Sequence, residues 1–112
     1  MKYKIKTNLK LKELGKYNFK KEIFDLSPSI KNFIHEIFYY KMYQYKDNYY
    51  YIETNHTCVD KQDEELKELH LFKVNFDKPN KELKFFRFHK IVRIVLKDLE
   101  TSGVIEKGSK RK

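Results

Sequence analysis

The stretch YYKMYQYKDNYYYIET, residues 39–54, holds seven of the nine tyrosines, and its reading decides how the rest of the chain is arranged. It reads as a β-hairpin closed by Asp47-Asn48, because Asp and Asn tolerate the left-handed conformations that tight hairpin turns require. A two-residue loop there sets Lys46 opposite Tyr49, Tyr45 opposite Tyr50, Gln44 opposite Tyr51 and Tyr43 opposite Ile52. Strand side chains alternate between two faces. One face carries Tyr43, Tyr45, Tyr50 and Ile52 and reads as the core side. The other carries Gln44, Lys46, Tyr49 and Tyr51, which leaves two tyrosines exposed beside a lysine.

Upstream, residues 2–12 alternate strictly. Lys2, Lys4, Lys6, Asn8, Lys10 and Lys12 fall on one parity, and Tyr3, Ile5, Thr7, Leu9 and Leu11 on the other. Period two predicts a half-buried strand with a lysine ladder outside. Alternate residues lie about 6.6 Å apart, a spacing that can follow phosphates along an extended nucleic-acid strand. Lysines on an edge strand also discourage aggregation, so the ladder has a plain structural reading too. Gly15 ends this strand, and Phe19, Ile23 and Leu26 then suggest a short helical turn. Ser27-Pro28 is a stronger helix start, with Ser as N-cap and Pro at the first helical position. Ile30, Phe33, Ile34, Ile37 and Phe38 follow at helical spacing, which predicts a helix over 28–40.

Downstream, residues 55–68 are polar and acidic and read as a dispensable connecting loop, with a short helical turn at 62–68. A second hairpin is expected from 69–76 and 82–89 around residues 77–81. Pairing Phe76 with Leu83 would also set Val74 against Phe85 and His70 against His89, although the turn can close in several ways. In residues 90–102, KIVRIVLKDLETS, the spacing of Ile91, Ile94, Val95 and Leu99 favours a helix over a strand, with Gly103 as C-cap. Residues 104–107 suggest a short last strand, and 108–112 a disordered basic tail. Residues 92–112, VRIVLKDLETSGVIEKGSKRK, resemble the recognition-helix-and-wing end of winged-helix proteins, where a helix ending Leu-Glu-x-x-Gly leads into a short strand and a basic wing. The two upstream hairpins do not belong to that fold, and no function is carried over from the resemblance.

The expected fold is therefore α+β. One domain over residues 1–107 would hold an antiparallel sheet of about five strands, made from two hairpins and the N-terminal strand. Two helices, over 28–40 and 90–102, would pack on one face. The 112 residues suffice for one such domain and not two. There is no Ala or Trp, so the core must be built from Ile, Leu, Phe and Tyr. The net charge of +9 is divided, with basic residues gathered in 1–21 and 71–112 and an acidic excess between them. Such ends suit a polyanion or an acidic protein surface. Cys58 is the single cysteine, so no intramolecular disulfide forms. No signal peptide or membrane-length apolar run is evident, and a cytoplasmic protein without membrane contact is expected.

No catalytic, metal or nucleotide-loop pattern stands out. The four histidines and one cysteine lack zinc spacing, and no metal or cofactor is expected. His70 and His89, if opposed across the second hairpin near Arg87 and Lys90, could act as base and acid in metal-free RNA cleavage. The leading expectation is a non-enzymatic binding module for RNA or single-stranded DNA. Lys2, Lys4, Lys6, Lys10, Lys12 and Lys46 would meet phosphates, and Tyr49 and Tyr51 would stack on bases. The alternative is a small inhibitor or adaptor of the phage or mobile-element type, including anti-defence proteins, that binds a nuclease, a nucleoprotein or another nucleic-acid-handling protein. Exposed tyrosines serve protein interfaces equally well.

Overall fold

The tyrosine hairpin lies at the centre of the sheet. The computed structural model describes residues 3–25, 35–58, 63–85 and 89–108. In chain order these form β1 (Tyr3–Ile5), a 3-10 helix (Leu11–Tyr17), β2 (Lys20–Asp25), β3 (His35–Tyr45), β4 (Asn48–Thr54) and β5 (Thr57–Cys58). There follow β6 (Leu69–Lys73), β7 (Lys81–Leu83), α1 (Lys90–Ser102) and β8 (Ile105–Lys107). The fold is mixed α+β with antiparallel pairing. One sheet runs β2-β3-β4-β6-β7, with β5 also paired to β3, and β1 and β8 form a separate two-stranded sheet.

The expected hairpin forms, with its turn one residue earlier. Tyr45 pairs with Asn48, Tyr43 with Tyr50 and Met42 with Tyr51. The loop is thus Lys46-Asp47, and Lys46 takes the left-handed φ of 56°. Moving the turn by one residue moves every cross-strand partner by two. Side-chain parity is unchanged, so the two faces are those read from the sequence. Tyr50 and Ile52 are buried, and Tyr43 and Tyr45 pack against the core.

Two sequence readings fail at β3 and β2. Residues 35–40 are strand, not the end of a helix over 28–40; residues 26–34 lie outside the described residues. Phe19 and Ile23 belong to the approach to β2 and to β2 itself, not to a helical turn. Ile37 is fully buried opposite Ile23, and Lys20 to Asp25 pair in register with Tyr40 to His35. Pairing on both sides of β3 outweighs a local helical spacing.

The strand expected over 2–12 is also shorter. β1 ends at Ile5, Asn8 turns the chain with φ 65°, and the 3-10 helix begins at Leu11. Glu13 Oε1 accepts a hydrogen bond from the Lys10 backbone at 2.8 Å, and Asn18, at φ 68°, closes the helix. Gly15 therefore lies inside this helix and does not end a strand. Leu9, Leu11 and Leu14 are all buried. The described part of the loop over 55–68 is integrated into the fold. It contributes β5 and buried Leu66, and Leu66 and Leu9 are joined by a backbone hydrogen bond of 2.8 Å. Of the helical turn expected at 62–68, the described part is a bend at 63–64 followed by Glu65, which bridges to Lys10.

β6 and β7 pair as Leu71 with Leu83, Phe72 with Glu82 and Lys73 with Lys81. Residues 74–80 form the loop, so Phe76 does not face Leu83 and Val74 does not face Phe85. α1 has the expected bounds. Ile91, Val92, Val95 and Leu99 are buried, with Val92 taking the place expected for Ile94. Gly103, at φ 92°, closes it, and the Gly103 and Val104 amides return to Glu100 and Leu99 in the paired bonds of a Schellman closure. Buried Val104 leads into β8, which pairs with β1, and residues 109–112 of the expected basic tail lie outside the described residues.

One irregularity shapes the open side of the sheet. Tyr40 pairs with Glu53 and Ile37 with Thr57, so Phe38 and Tyr39 of β3 face three residues, Thr54, Asn55 and His56. This is a β-bulge. Buried Thr54 stabilises it: its Oγ1 accepts from the Tyr39 amide at 2.9 Å and donates to the Asn55 carbonyl at 3.2 Å. Asn55 Oδ1 accepts from the Lys67 and Glu68 amides and ties the bulge to the approach of β6. Thr54→Val keeps the shape and removes both hydroxyl bonds. It is expected to lower stability by about 1–2 kcal/mol in urea unfolding. An unchanged midpoint would show that the hydroxyl does not hold the bulge.

Candidate functional site: the open face of the sheet

α1 and the 3-10 helix pack on one side of the sheet, around Ile37, Tyr39, Tyr50, Ile52 and Leu71. Strand alternation sends the intervening residues to the opposite side. There, Met42, Tyr51, Phe72 and Glu82 form one row across β3, β4, β6 and β7. Lys20, Tyr40, Glu53 and His70 form the next row across β2, β3, β4 and β6. Gln44 and Tyr49 lie beyond the first row, and Glu22 and Phe38 beyond the second. Met42 is 48% exposed and Tyr49 42%. Tyr51 is half-buried, stacked on Phe72 at 5.1 Å, and its hydroxyl accepts a hydrogen bond from Asn80 Nδ2 at 3.1 Å.

The charges on this face are organised around two histidines. The bulge turns His56 outward, where it stacks on Phe38 with centroids 4.4 Å apart and planes 10° from parallel. Its Nδ1 lies 2.7 Å from Glu36 and its Nε2 2.9 Å from Glu53. His70 repeats the arrangement, with Nδ1 at 2.9 Å from Glu82 and Nε2 at 2.8 Å from Glu68. A carboxylate only accepts hydrogen bonds. A ring with a carboxylate at each nitrogen is therefore satisfied as the doubly protonated imidazolium. The pKa directions agree. Burial works to lower that of His56, but the hydrogen bonds to Glu36 and Glu53 outweigh it and the value is raised. His70 is raised chiefly by its hydrogen bonds to Glu68 and Glu82. Among the described residues, each cluster with its ring protonated sets two carboxylates against one imidazolium.

The expected phosphate-binding lysines do not meet on this face. Lys4 lies 3.7 Å from Glu106 between β1 and β8. Lys12 is 2.8 Å from Asp63, which raises the Lys12 pKa and is itself lowered, first through their hydrogen bond and then through their charges. Lys10 is half-buried at the start of the 3-10 helix, Lys6 is exposed beyond β1, and Lys2 lies outside the described residues. Lys46 lies 5.5 Å from the ring centre of Tyr45, a tyrosine of the core side. The turn at Asn8 breaks the ladder, so period two no longer maps residues 2–12 onto one face.

His70 and His89 are not opposed. His70 is held by Glu68 and Glu82, while His89 stands at the head of α1. Arg87 lies outside the described residues. The geometry expected for base-and-acid RNA cleavage is therefore absent at this pair. Among the described residues no group of His, Cys, Asp and Glu is arranged to hold a metal ion. No described helix is long and apolar enough to cross a membrane.

Phe38, Tyr40, Met42, Phe72 and His56 are the residues of this face that sequence reading missed. The alternation Phe38, Tyr40, Met42, Gln44 carried the signal for the first three, and the helical reading of 28–40 hid it. The outward turn of His56 depends on the bulge and has no such signal. The chain matches no protein-family model, and no curated protein or solved structure shows significant similarity to it.

Proposed function

We propose that the chain is a non-enzymatic docking module whose open sheet face binds a protein surface with an apolar centre and a basic rim. Such a rim is found where proteins hold nucleic-acid phosphates, and an inhibitor or adaptor of a nucleic-acid-handling protein fits this role. The observation that carries the reading is the character of the face. Phe38, Tyr40, Met42, Tyr49, Tyr51 and Phe72 lie among Glu22, Glu36, Glu53 and Glu82, with Lys20 as the lysine in these rows. Aromatic residues and Met are enriched in protein interfaces. Base-stacking sheets also use aromatic rings, but phosphates require cations beside them, and here carboxylates hold those places.

Binding of RNA or single-stranded DNA is the second reading, and α1 supports it. Lys90, Arg93 and Lys97 recur at helical spacing on its exposed side. The two readings use different surfaces and can be separated. The tagged full chain should retain a protein from nuclease-treated lysate of its own cell, and less of it as salt rises. Met42→Lys with Tyr49→Ala should abolish retention, while Lys90→Gln with Lys97→Gln should leave it intact. Loss with the helix variant, or retention that requires nucleic acid, would favour the second reading and refute the first.

A further inference from the structure

We propose that the open face seats arginine and lysine side chains of its partner, and that His56 and His70 occupy the carboxylates until those cations arrive; the inference rests on the docking reading above. The histidines show what the face accepts. His56, a planar cation when protonated, lies flat on Phe38 between two carboxylates, and His70 lies between two carboxylates with its ring 6.5 Å from Phe72. A guanidinium is planar, stacks on aromatic rings and forks onto carboxylates, so these surroundings suit it equally.

The two clusters meet at Glu53. It bonds His56 and stands opposite His70 in the β4–β6 ladder. Among the described residues, the charged groups bonded to His56 are Glu36 on β3 and Glu53 on β4. Around His70 stand Glu68 before β6, Glu82 on β7 and Glu53 on β4. An arriving cation competes with each ring for these carboxylates, and a displaced ring loses its reason to stay protonated. Binding therefore releases protons and tightens as pH rises through the raised histidine pKa values. The overall charge of +9 does not forbid this, since screening at physiological salt limits exposed charges to about 8 Å and local groups decide.

The probe is a fluorescein-labelled peptide of alternating Arg and Leu, read by anisotropy against the full chain at pH 6 and pH 8.5. A Glu-for-Arg counterpart and a labelled single-stranded oligonucleotide are the controls. The Arg peptide should bind several-fold more tightly at the higher pH, and the Glu peptide should not bind. Glu53→Gln should weaken binding at both pH values, with circular dichroism confirming the fold; Glu82→Gln on edge strand β7 is the second variant. Converting both histidines to Gln should preserve binding and flatten its pH profile. An Arg peptide that fails to bind, or binds independently of Glu53, Glu82 and pH, overturns the inference. If a protein is still captured through Met42 and Tyr49, the docking reading survives that failure. If the oligonucleotide takes the same face, both fall.

Discussion

Leu66→Ala is expected to lower stability by about 2–4 kcal/mol, the range for deleting a buried leucine side chain. Leu66 comes from an acidic, polar stretch, yet it is 4% exposed and joins the core with Leu9, Leu11 and Leu14. The backbone on either side is also fixed: the Leu11 amide donates to the Glu64 carbonyl at 2.9 Å and the Leu66 amide to the Leu9 carbonyl at 2.8 Å. The surroundings cannot easily collapse into the space left behind. Phe76→Ala is the matching control. It removes a larger side chain, but Phe76 is 86% exposed, so its loss should change stability by less than about 0.5 kcal/mol. Urea unfolding of the two variants checks the pair. If Phe76→Ala proved the costlier, the placement of residues 63–66 against the core would be wrong.

Asp98→Ala should be the next most damaging change, at about 1–3 kcal/mol. Asp98 Oδ2 accepts hydrogen bonds from Lys41 Nζ and from the Tyr43 hydroxyl, both at 2.7 Å, and so ties α1 to β3. Hydrogen bonds to charged groups rank among the stronger side-chain contacts. The range is held down because the Asp98 side chain is 36% exposed, which lets water screen it, whereas that of Lys41 is only 15% exposed. Burial pushes the Asp98 pKa up, but the bonds from Lys41 and Tyr43 outweigh it, and the value lies below the usual carboxylate range. Burial, and then Asp98, raise the Tyr43 pKa, so its hydroxyl remains a donor. A depressed carboxylate stabilises the fold above its unfolded pKa and loses that contribution as pH falls through the folded one. The gap between wild type and Asp98→Ala should be full at neutral pH and narrow in acid, as urea midpoints across pH would show. A gap that widened in acid would contradict the ion pair.

α1 was legible because its signals are local: an apolar stripe, a glycine one residue past the end and a short strand beyond. The faces of the tyrosine hairpin were legible for a different reason. Moving the turn from Asp47-Asn48 to Lys46-Asp47 shifts partners by pairs, and parity absorbs the error. β3 was misread because Ile30, Phe33, Ile34, Ile37 and Phe38 satisfy a helical period locally, while the choice of strand at 35–40 rests on β2, β4 and β5. Register between β6 and β7 depends on the length of the 74–80 loop, which residue type does not fix. The candidate site inherits these limits. Tyr49 and Tyr51 lie on the outer face as read; of the lysines meant to accompany them, Lys4 goes with β1 into the separate two-stranded sheet, and Lys10 and Lys12 lie beyond the turn at Asn8.

The bulge at Thr54, Asn55 and His56 gives this part of the chain a reading frame. Upstream of it, even-numbered residues of β4 point to the core; downstream, Thr57 stands with Ile37 on the core side and Cys58 with Glu36 on the open side. Deleting the one extra residue would heal the bulge and restore plain alternation, with Thr57 still opposite Ile37 on the core side. Deleting two residues would instead bring Cys58 opposite Ile37 and invert the frame. In this segment, the number of residues constrains inheritance as strongly as their identity.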